Sequence, residues 1–421
     1  MRSRFSLSLM ATLLLSTFAQ AQSTTGEAGP LLQSELTGSV RLAHWQSNRQ
    51  LNGQTGVTQV AGWLNGKVRY DKLKVVADAW LAEESTAKVE RRTQRQHQVR
   101  ELYVEHPMLG CNTRLGRQIL SWGRADGINP TDRISPRDYT LLVAEESENQ
   151  SGADGMTLRC EVGQGALLFG VFAPFGGSKV PLPSHPGFQY KPADATGPVR
   201  TAVKYEQSQG ALDWSVSLYH GADTLPSTDQ LSFDANGLII QLRTPTVTVF
   251  GHDGSWTPAA LTGTVLRWEV AYTTAGGNAK QAENVMAVIG AEYGLGGGGT
   301  LTGQWIGQKW MHFIKPEFAP DNPAGIAAML DAPFNRRYDQ NNQALMLRWR
   351  QPWLNDSLVS ELTFLYDTRR QSSFVRAKLN YALNDHWQLN AGLDHFYGQE
   401  QSNFGVLRAN NTAFVGVRRL F

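Results

Sequence analysis

The sequence predicts an all-β fold, namely a transmembrane antiparallel β-barrel of about 18 strands with short periplasmic turns and long extracellular loops. Three observations support this prediction. Many short segments alternate apolar and polar residues, the chain starts with an export signal, and its connections alternate between short and long. In a membrane barrel the apolar residues face lipid and the polar residues line a lumen, which reverses a soluble sheet. Alternation alone fits both arrangements, so the other two observations decide between them.

The start of the chain has the features of a secretory signal peptide. Two arginines precede an apolar run from Phe5 to Phe18, and Ala19-Gln20-Ala21 is a small-x-small cleavage site. An uncleaved anchor would need a longer apolar run, and no later segment approaches the ~18 apolar residues of a membrane helix. The predicted organisation is a signal peptide over 1–21, a periplasmic segment over 22–35 and an outer-membrane barrel over 36–421.

The composition favours many strands and turns. The 421 residues include 41 glycines, and 10% of the chain is aromatic and 18% charged. The chain has 39 basic and 37 acidic residues, and removing the two arginines of the signal peptide leaves an even balance. A nucleic-acid binder would show a basic excess, so no nucleic-acid partner is expected. No proline- or serine-rich linker divides the chain, which makes one large closed sheet the simpler prediction.

The predicted strands follow from the alternating pattern and from the roughly 9–11 residues that a membrane strand needs. Their number is even, as a single-chain bacterial barrel requires. The span 236–253 contains Pro245 and is kept as one strand, because splitting it would break the even count. The spans are 36–46, 57–71, 73–84, 95–106, 111–121, 153–162, 165–174, 199–208, 211–222, 236–253, 262–275, 284–295, 299–312, 342–352, 356–368, 371–383, 386–398 and 411–421.

The connections between these spans are of two kinds. Short ones include Tyr70-Asp71-Lys72, Gly296 to Gly299 and Asn384-Asp385, where Gly, Asn and Asp suit tight hairpins. Long ones cover roughly 122–152, 174–198, 222–235 and 313–341 and are rich in Pro, Gly, Asp and Asn. Short turns on one side and long loops on the other are typical of the periplasmic and extracellular ends of an outer-membrane barrel.

The chain has two cysteines, Cys111 and Cys160, at neighbouring ends of two candidate antiparallel strands. Two interpretations are open. In an oxidising compartment they would form a cross-strand disulfide. Otherwise they are two unpaired buried thiols. Two cysteines by themselves do not make a zinc site, and no metal site is predicted.

Several segments resemble a known family. RELYVE (Arg100 to Glu105), GRQILSWG (Gly116 to Gly123), RWEVAY (Arg267 to Tyr272) and the tail LNYALNDHWQLNAGLDHFYG are similar to strands of alginate-export-type outer-membrane proteins and their porin-like relatives. The matches cover about a third of the chain. The resemblance implies a wide, monomeric barrel that passes solutes or polymer across the outer membrane of a Gram-negative bacterium. It does not fix the cargo, because a fold alone does not give a function.

Alternation also predicts which charged residues face the lumen. The clearest group is a basic ladder of Arg348 and Arg350 with Arg376 and Lys378. Two interpretations are open: such charges select ions and bind anionic cargo, or they pair with each other and stiffen a polar interior. The further predicted basic residues are Arg41, Lys67, Arg69, Arg114, Arg159 and Arg267. The predicted acidic residues are Asp78, Glu101, Glu105, Glu161, Glu269, Glu361, Asp367 and Asp394.

Two long loops are candidate gates. A loop as long as Ser121 to Gly152 is usually functional or mobile, and folded inward it would form a constriction, folded outward a surface cap. The inward arrangement is the prediction. A second candidate is Phe313 to Asn341, with Arg336, Arg337 and Tyr338, as a constriction or a plain surface loop. The polar residues of the first loop are Arg124, Asp126, Asp132, Arg133, Arg137, Asp138 and Tyr139.

No catalytic site or cofactor is predicted. Asp394 and His395 are adjacent on one strand and therefore point to opposite faces, which rules out a dyad, and no nucleophile elbow, paired-histidine motif or Walker loop occurs. The predicted function is a porin-like channel for passive or guided passage of hydrophilic, anionic solutes or polysaccharide. The expected partners are outer-membrane lipid, the cargo and a periplasmic protein, with the barrel a monomer. The alternative is a barrel-anchored adhesion or structural protein with a plugged lumen.

Overall fold

The computed structural model describes residues 32–48, 55–86, 93–182, 187–191, 197–319 and 321–421. The predicted signal peptide and most of the predicted periplasmic segment lie outside these residues. The first strand begins at Leu32, so the last residues of that predicted segment are part of the sheet. Within the described ranges, no helix has the length and apolar character needed to cross a membrane.

Eighteen strands form one sheet, in which each strand pairs antiparallel with the next and the last pairs with the first. The predicted closed antiparallel barrel is thereby confirmed. The strands within the described ranges, in chain order, are β1 Leu32–Ser47, β2 Gly56–Tyr70, β3 Leu73–Thr86, β4 Thr93–Met108, β5 Cys111–Gln118, β6 Ala153–Val162, β7 Gly165–Phe172, β8 Phe188–Lys191, β9 Arg200–Gln209, β10 Leu212–Ala222, β11 Ser227–Asp234, β12 Gly237–Arg243, β13 Thr246–Trp256, β14 Thr264–Ala275, β15 Asn284–Gly294, β16 Thr300–Trp310, β17 Asn341–Trp353, β18 Leu358–Asp367, β19 Ser372–Ala382, β20 Trp387–Tyr397 and β21 Thr412–Leu420.

Three strands do not belong to the barrel. β8, β11 and β12 form a separate small sheet within the long connections at one end. A helix, α1 (Pro323–Asn335), packs against it, and its Leu330 joins Leu238, Ile240 and Leu242 in one buried cluster. Asn322 caps the helix by accepting a hydrogen bond from the amide of Gly325 (3.0 Å). The small sheet and α1 together make a cap with its own apolar core.

The single strand predicted over 236–253 is wrong. The chain breaks at Pro245, which has no N–H to give to a sheet ladder. Residues on its N-terminal side form β12 of the cap, and residues on its C-terminal side form barrel strand β13. The even count survives the split, because only β13 enters the barrel.

The two faces of the barrel differ as the alternation predicts. On β17, Leu345 and Leu347 are 48% and 49% exposed on the outside, whereas Met346 between them is buried inside. The same outward apolar face continues on β19 and β20 with Leu379 and Leu393. Outside a barrel these side chains meet lipid, and the backbone polar groups are paired within the sheet. This belt places the protein in the outer membrane of a Gram-negative bacterium, as predicted.

Short turns and both described chain ends lie at one end of the barrel, and the long connections lie at the other. Asp71 alone has a left-handed φ of 51° in the β2–β3 turn. In the β15–β16 turn, Gly297 and Gly298 have φ values of 67° and 75°, a conformation that glycine adopts without a steric penalty. By the usual orientation of such barrels the short turns are periplasmic and the long loops extracellular.

Cys111 and Cys160 lie directly opposite each other in the β5–β6 register and form a disulfide. By alternation both share the outward face with Leu115 and Leu158. They lie next to the short turns, at the periplasmic rim. The disulfide therefore joins two neighbouring wall strands and does not line the lumen.

Candidate functional site

The connection between β5 and β6, residues 119–152, folds into the barrel and is called the lumen loop below. Its side chains contact inward-facing residues on opposite parts of the wall, from β13 and β14 on one side to β19, β21 and β1 on the other. The predicted span of β5 to residue 121 is too long by three residues. β5 ends at Gln118, and the amide of Ile119 donates to the Glu101 carboxylate (2.9 Å) as the chain turns inward.

The first half of the lumen loop, residues 122–134, is called the anchor half. Trp122 and Ile134 are 6% and 1% exposed and belong to a cluster with inward-facing wall residues that include Val247 and Val249 of β13. Ala125 joins a second cluster with wall residues of β15 to β18. Burial of large apolar side chains therefore fixes this half against the wall.

Glu269 of β14 holds the anchor half by its carboxylate. This side chain is fully buried, and its two oxygens accept hydrogen bonds from the amides of Arg124 (3.0 Å), Ala125 (3.1 Å) and Thr131 (2.7 Å) and from the Thr131 hydroxyl (2.8 Å). Gly123 is required beside it, because φ is 93° and a Cβ there would collide with the carboxylate. Glu269, predicted as a lumen charge, is thus a positioning group for the loop.

Two acid–base contacts add to this anchor. Arg124 pairs with Asp253 of β13, whose other oxygen accepts from Ser215. Asp126 pairs with Arg348 of β17 (2.7 Å). Burial raises the pKa of Asp126 above its usual value, and the Arg348 guanidinium opposes that shift.

The remaining predicted loop residues connect the lumen loop to itself and to the other extracellular loops. Arg133 pairs with Asp223 (2.7 Å), and Asp138 pairs with Lys179 (3.0 Å). Arg137 lies 3.4 Å from Asp132 within the loop, and burial raises the pKa of Asp132 against the influence of Arg137. Tyr139 is about half exposed.

The second half of the lumen loop, residues 141–150, is called the acidic half. Glu148 accepts two hydrogen bonds from Arg41 of β1 (2.9 and 2.8 Å), in a pair that is almost fully buried, and Arg418 of β21 lies 3.7 Å away. The Arg41 guanidinium also lies 4.6 Å from the ring centre of Trp63. Two guanidinium groups therefore share one loop carboxylate.

Two further carboxylates of the acidic half contact the predicted basic ladder. Glu145 accepts from Lys378 (3.0 Å) and from Asn380 (3.1 Å) on β19. Glu146 pairs with Arg376 of the same strand (3.2 Å). The loop acids therefore neutralise part of the ladder.

The predicted wall acids lie on strands next to the basic residues rather than across the lumen. Glu361 of β18 lies between Arg348 (2.9 Å) and Lys378 (3.3 Å). Asp394 binds Arg376 through both oxygens (2.6 and 2.7 Å). The structure thus brings these residues together, and the charges that face the ladder from inside the lumen come from the loop.

Arg350 differs from the rest of the ladder. It is exposed to the lumen and forms no ion pair within the described ranges. The inward-facing cations on this side of the barrel are called the basic wall. They are Arg348 and Arg350 of β17, Arg376 and Lys378 of β19, Arg418 of β21 and Arg41 of β1.

The other predicted lumen charges lie outside this group. Arg267 pairs with Glu292 of β15 (2.9 Å), and Asp367 is buried, where it accepts from the amides of Arg369 and Arg370. Pairs between neighbouring strands account for Lys67–Glu35 and Arg114–Glu105, and Arg159 of β6 pairs with Glu206 of β9 across β7. These groups stabilise the polar interior of the barrel.

The sequence prediction missed the residues that join the loop to the basic wall. Glu145, Glu146 and Glu148 follow the predicted loop residues, and Arg418 follows from the alternation of β21. The signal that would have found them is an acidic cluster, Glu-Glu-Ser-Glu, in a loop predicted to enter a lumen with a basic ladder.

The second candidate loop forms part of the cap. Arg337 is buried and lies 4.3 Å from the ring centre of Trp310, at the end of β16. Tyr338 is buried beside Arg370. Arg336 has a left-handed φ of 54° and ends α1. These residues hold the cap to the extracellular end of the barrel.

As predicted, Asp and His residues that are adjacent on one strand point to opposite faces of the barrel wall. Asp394 points inward to Arg376, and His395 points outward. His252 is likewise on the outer face, where it accepts from the indole N–H of Trp268 (3.1 Å), while Asp253 is inside. Among the residues that the structure describes, no group of three or more His, Cys, Asp or Glu side chains is placed to hold a metal ion.

No protein-family model matches the sequence, and no curated protein matches it. Solved structures do match. Acinetobacter baumannii OccAB4 aligns over 92% of this chain and 98% of its own, with a TM-score of 0.57 and 9% identity. Pseudomonas aeruginosa OccD3 (OpdP) aligns over 94% and 92%, with a TM-score of 0.53 and 12% identity. Pseudomonas aeruginosa OccK5 (OpdH) aligns over 92% and 97%, with a TM-score of 0.53 and 9% identity.

At such low identity the likeness shows the fold alone. The chain has the 18-stranded fold of these outer-membrane porins over 92–94% of its length. The predicted resemblance to porin-like proteins is thus supported at the level of the fold. The narrower resemblance to alginate-export-type proteins gains no support from these matches.

Proposed function

We propose that this protein is an outer-membrane channel that passes small hydrophilic anions by guided diffusion. The observation that carries the proposal is the basic wall, which lines one side of a polar lumen. Fixed charges in a pore select the sign of the permeating ion, and arginine binds carboxylate groups through two parallel hydrogen bonds. A carboxylate-bearing solute fits this wall.

The acidic half of the lumen loop supports the same solute class. Its carboxylates contact Lys378, Arg376 and Arg41, so the wall already binds carboxylates in the structure. A permeating carboxylate would meet the same cations in exchange with these side chains. Arg350, which has no such partner among the described residues, offers a first contact from the periplasmic end.

Export of an anionic polysaccharide is the narrower version that the resemblance to alginate-export-type proteins implies. A polymer needs a wide lumen, and the lumen loop is bound to the wall on both sides. The geometry therefore favours small solutes. We propose that the protein is a monomer in outer-membrane lipid, without enzymatic activity and without a cofactor or a nucleic-acid partner. A periplasmic partner protein is part of the proposal only if the cargo is a polysaccharide.

The test is the reversal potential of single channels in a planar bilayer under a KCl gradient. We expect anion-selective steps for the mature protein. Replacing the predicted ladder (Arg348→Gln, Arg350→Gln, Arg376→Gln and Lys378→Gln together) removes the preference. Arg350→Gln alone reduces it without disturbing the loop, because this side chain is exposed and unpaired in the described structure.

Lys67→Gln is the matched control, because Lys67 is a lumen cation paired with Glu35 on another part of the wall. Anion selectivity that persists in the fourfold variant would refute the role of the ladder. A folded but electrically silent protein would favour the alternative, an adhesion or structural protein with a plugged lumen, for which the inward loop supplies the plug.

A further inference from the structure

A recess of about 250 Å³ lies at the extracellular edge of the barrel wall, apart from the basic wall. It exists because β4 extends further toward the extracellular side than its neighbour β5 does. β4 pairs with β5 only from Leu102 to Met108, so its segment from Thr93 to Glu101 has no β5 partner. Gln98 of this segment lines the recess, together with the first residues of β6 and β9 and parts of two loops.

The recess has a mixed polar and apolar lining with a positive balance of charge. Arg117, Arg137, Lys179 and Arg200 line it, against two acids, Asp138 and Asp154. Three of the cations have a carboxylate partner: Arg117 pairs with Asp154 (2.6 Å), Lys179 with Asp138 (3.0 Å) and Arg137 with Asp132 (3.4 Å).

Arg200 is the exception. It is 2% exposed, and no carboxylate in the described part of the chain lies within ion-pair distance of it. Its guanidinium donates to the carbonyls of Ala173 (2.8 Å) and Ile134 (2.7 Å) and interacts with the Tyr219 hydroxyl. It lies 4.1 Å from the ring centre of Phe175 and 5.6 Å from that of Phe172. Burial of a charge is unfavourable unless an opposite charge compensates it. Arg200 interacts with the Asp154 charge only at longer range, and that carboxylate is bound to Arg117. A buried cation that lines a polar recess with no carboxylate within ion-pair distance therefore favours binding of an anion.

We propose that this recess binds the carboxylate of a small solute, with Arg200 as its counter-charge and the Phe175 ring as an apolar contact. Lys179, mostly exposed at the rim, adds attraction from solution. The site is distinct from the basic wall, since none of the six basic-wall residues lines it. Its role as a capture site near the extracellular mouth rests on the proposed function, whereas carboxylate binding itself does not.

The test is calorimetric titration of the folded, detergent-solubilised protein with glucuronate, and with glucose as the uncharged counterpart. We expect glucuronate to bind and glucose not to bind. Arg200→Gln should weaken glucuronate binding by about tenfold or more, because a charge-assisted pair is lost. Lys179→Gln should weaken it by about two- to threefold, as expected for an exposed charge.

Arg159→Gln is the matched control, because it removes an arginine that lies neither in the recess nor in the basic wall. Binding lost in Arg200→Gln and retained in Arg159→Gln supports the proposal. No binding to the unaltered protein overturns it, as does binding that Arg200→Gln leaves unchanged. If Arg200→Gln does not fold, Lys179→Gln decides, since unchanged binding there refutes the proposal. Channel selectivity in the bilayer assay is a separate readout, so failure here leaves the proposed function intact.

Discussion

The two halves of the lumen loop are held by different interactions. The anchor half buries Trp122 and Ile134 in the wall and surrounds the fully buried Glu269 carboxylate. The acidic half contacts the basic wall through carboxylates, of which Glu145 and Glu146 are 37% and 47% exposed. Leu142 and Ala144 also pack against Trp45 and Phe414 of the wall. The first half is thus held by buried groups throughout, whereas in the second half the exposed pairs of Glu145 and Glu146 are the contacts that can exchange partners.

The energies expected for these contacts differ accordingly. Burying a large apolar side chain contributes about 1.5–3 kcal/mol, whereas an exposed ion pair contributes about 0–1 kcal/mol. The pair between Glu148 and Arg41 is intermediate, because it is buried but its acid also has Arg418 nearby. The loop is therefore strongest at its first half and weakest at Glu145 and Glu146.

The largest effect is expected for Glu269→Ala. It leaves the donors of Arg124, Ala125 and Thr131 buried without an acceptor, at a cost of roughly 3–5 kcal/mol to the bound loop. We expect the anchor half to detach and single-channel conductance to rise with added noise. Planar-bilayer recording measures this change.

Glu292→Ala is the control for that experiment, because Glu292 is a lumen carboxylate that pairs with wall residue Arg267 and does not contact the loop. Equal conductance changes in the two variants would show that loss of lumen charge, and not release of the loop, is the cause.

A smaller effect is expected for Glu148→Gln. Arg41 and Arg418 lose the charge that they share, which weakens the loop contact by about 1.5–3 kcal/mol. One negative charge also leaves the lumen, so anion selectivity should increase. The reversal potential under a salt gradient reports this shift, and Glu35→Gln, an exposed acid beside Lys67, should give a much smaller one. A shift toward cations would contradict the assignment of Glu148 as a cover of the basic wall.

The smallest effect is a dependence on salt. Raising ionic strength from 0.1 to 1 M shortens the Debye length from about 10 to about 3 Å, which weakens the exposed pairs of Glu145 and Glu146. Conductance should therefore rise more steeply than the conductivity of the solution. In the double variant Glu145→Gln and Glu146→Gln the steeper rise should disappear, and its persistence would assign it to another part of the channel.

The strands show how far sequence patterns reach. Alternation predicts that Arg348 and Lys378 face inward and Leu345 and Leu379 outward, because each strand meets lipid on one side and water on the other. The same pattern wrongly places the residues of β12 in the barrel wall. A short strand alternates apolar and polar residues in the same way whether it belongs to a cap or to a barrel wall. Pro245 is the informative residue, because the cap strand ends before it and the barrel strand begins after it.

The lumen loop shows where such patterns end. Its residue types predict a polar loop, and the inward arrangement is predicted in preference to an outward surface cap. Glu148 meets Arg41 across 107 positions of sequence, and Glu145 meets Lys378 across 233. Contacts between residues so far apart in the sequence leave no local periodic pattern from which they could be predicted.

By itself the sequence determined the barrel, the inward and outward faces, the position of the turns and the neighbouring cysteines, because each depends on residues close together in the chain or on the period of a strand. The tertiary structure alone decided which wall residues hold the loop in the lumen, that the loop acids cover the basic wall, and that no carboxylate of the described residues lies within ion-pair distance of Arg200 beside the recess. These features depend on closure of the sheet. Closure brings strands that are far apart in sequence around one loop, and it decides which charged side chains meet inside the barrel.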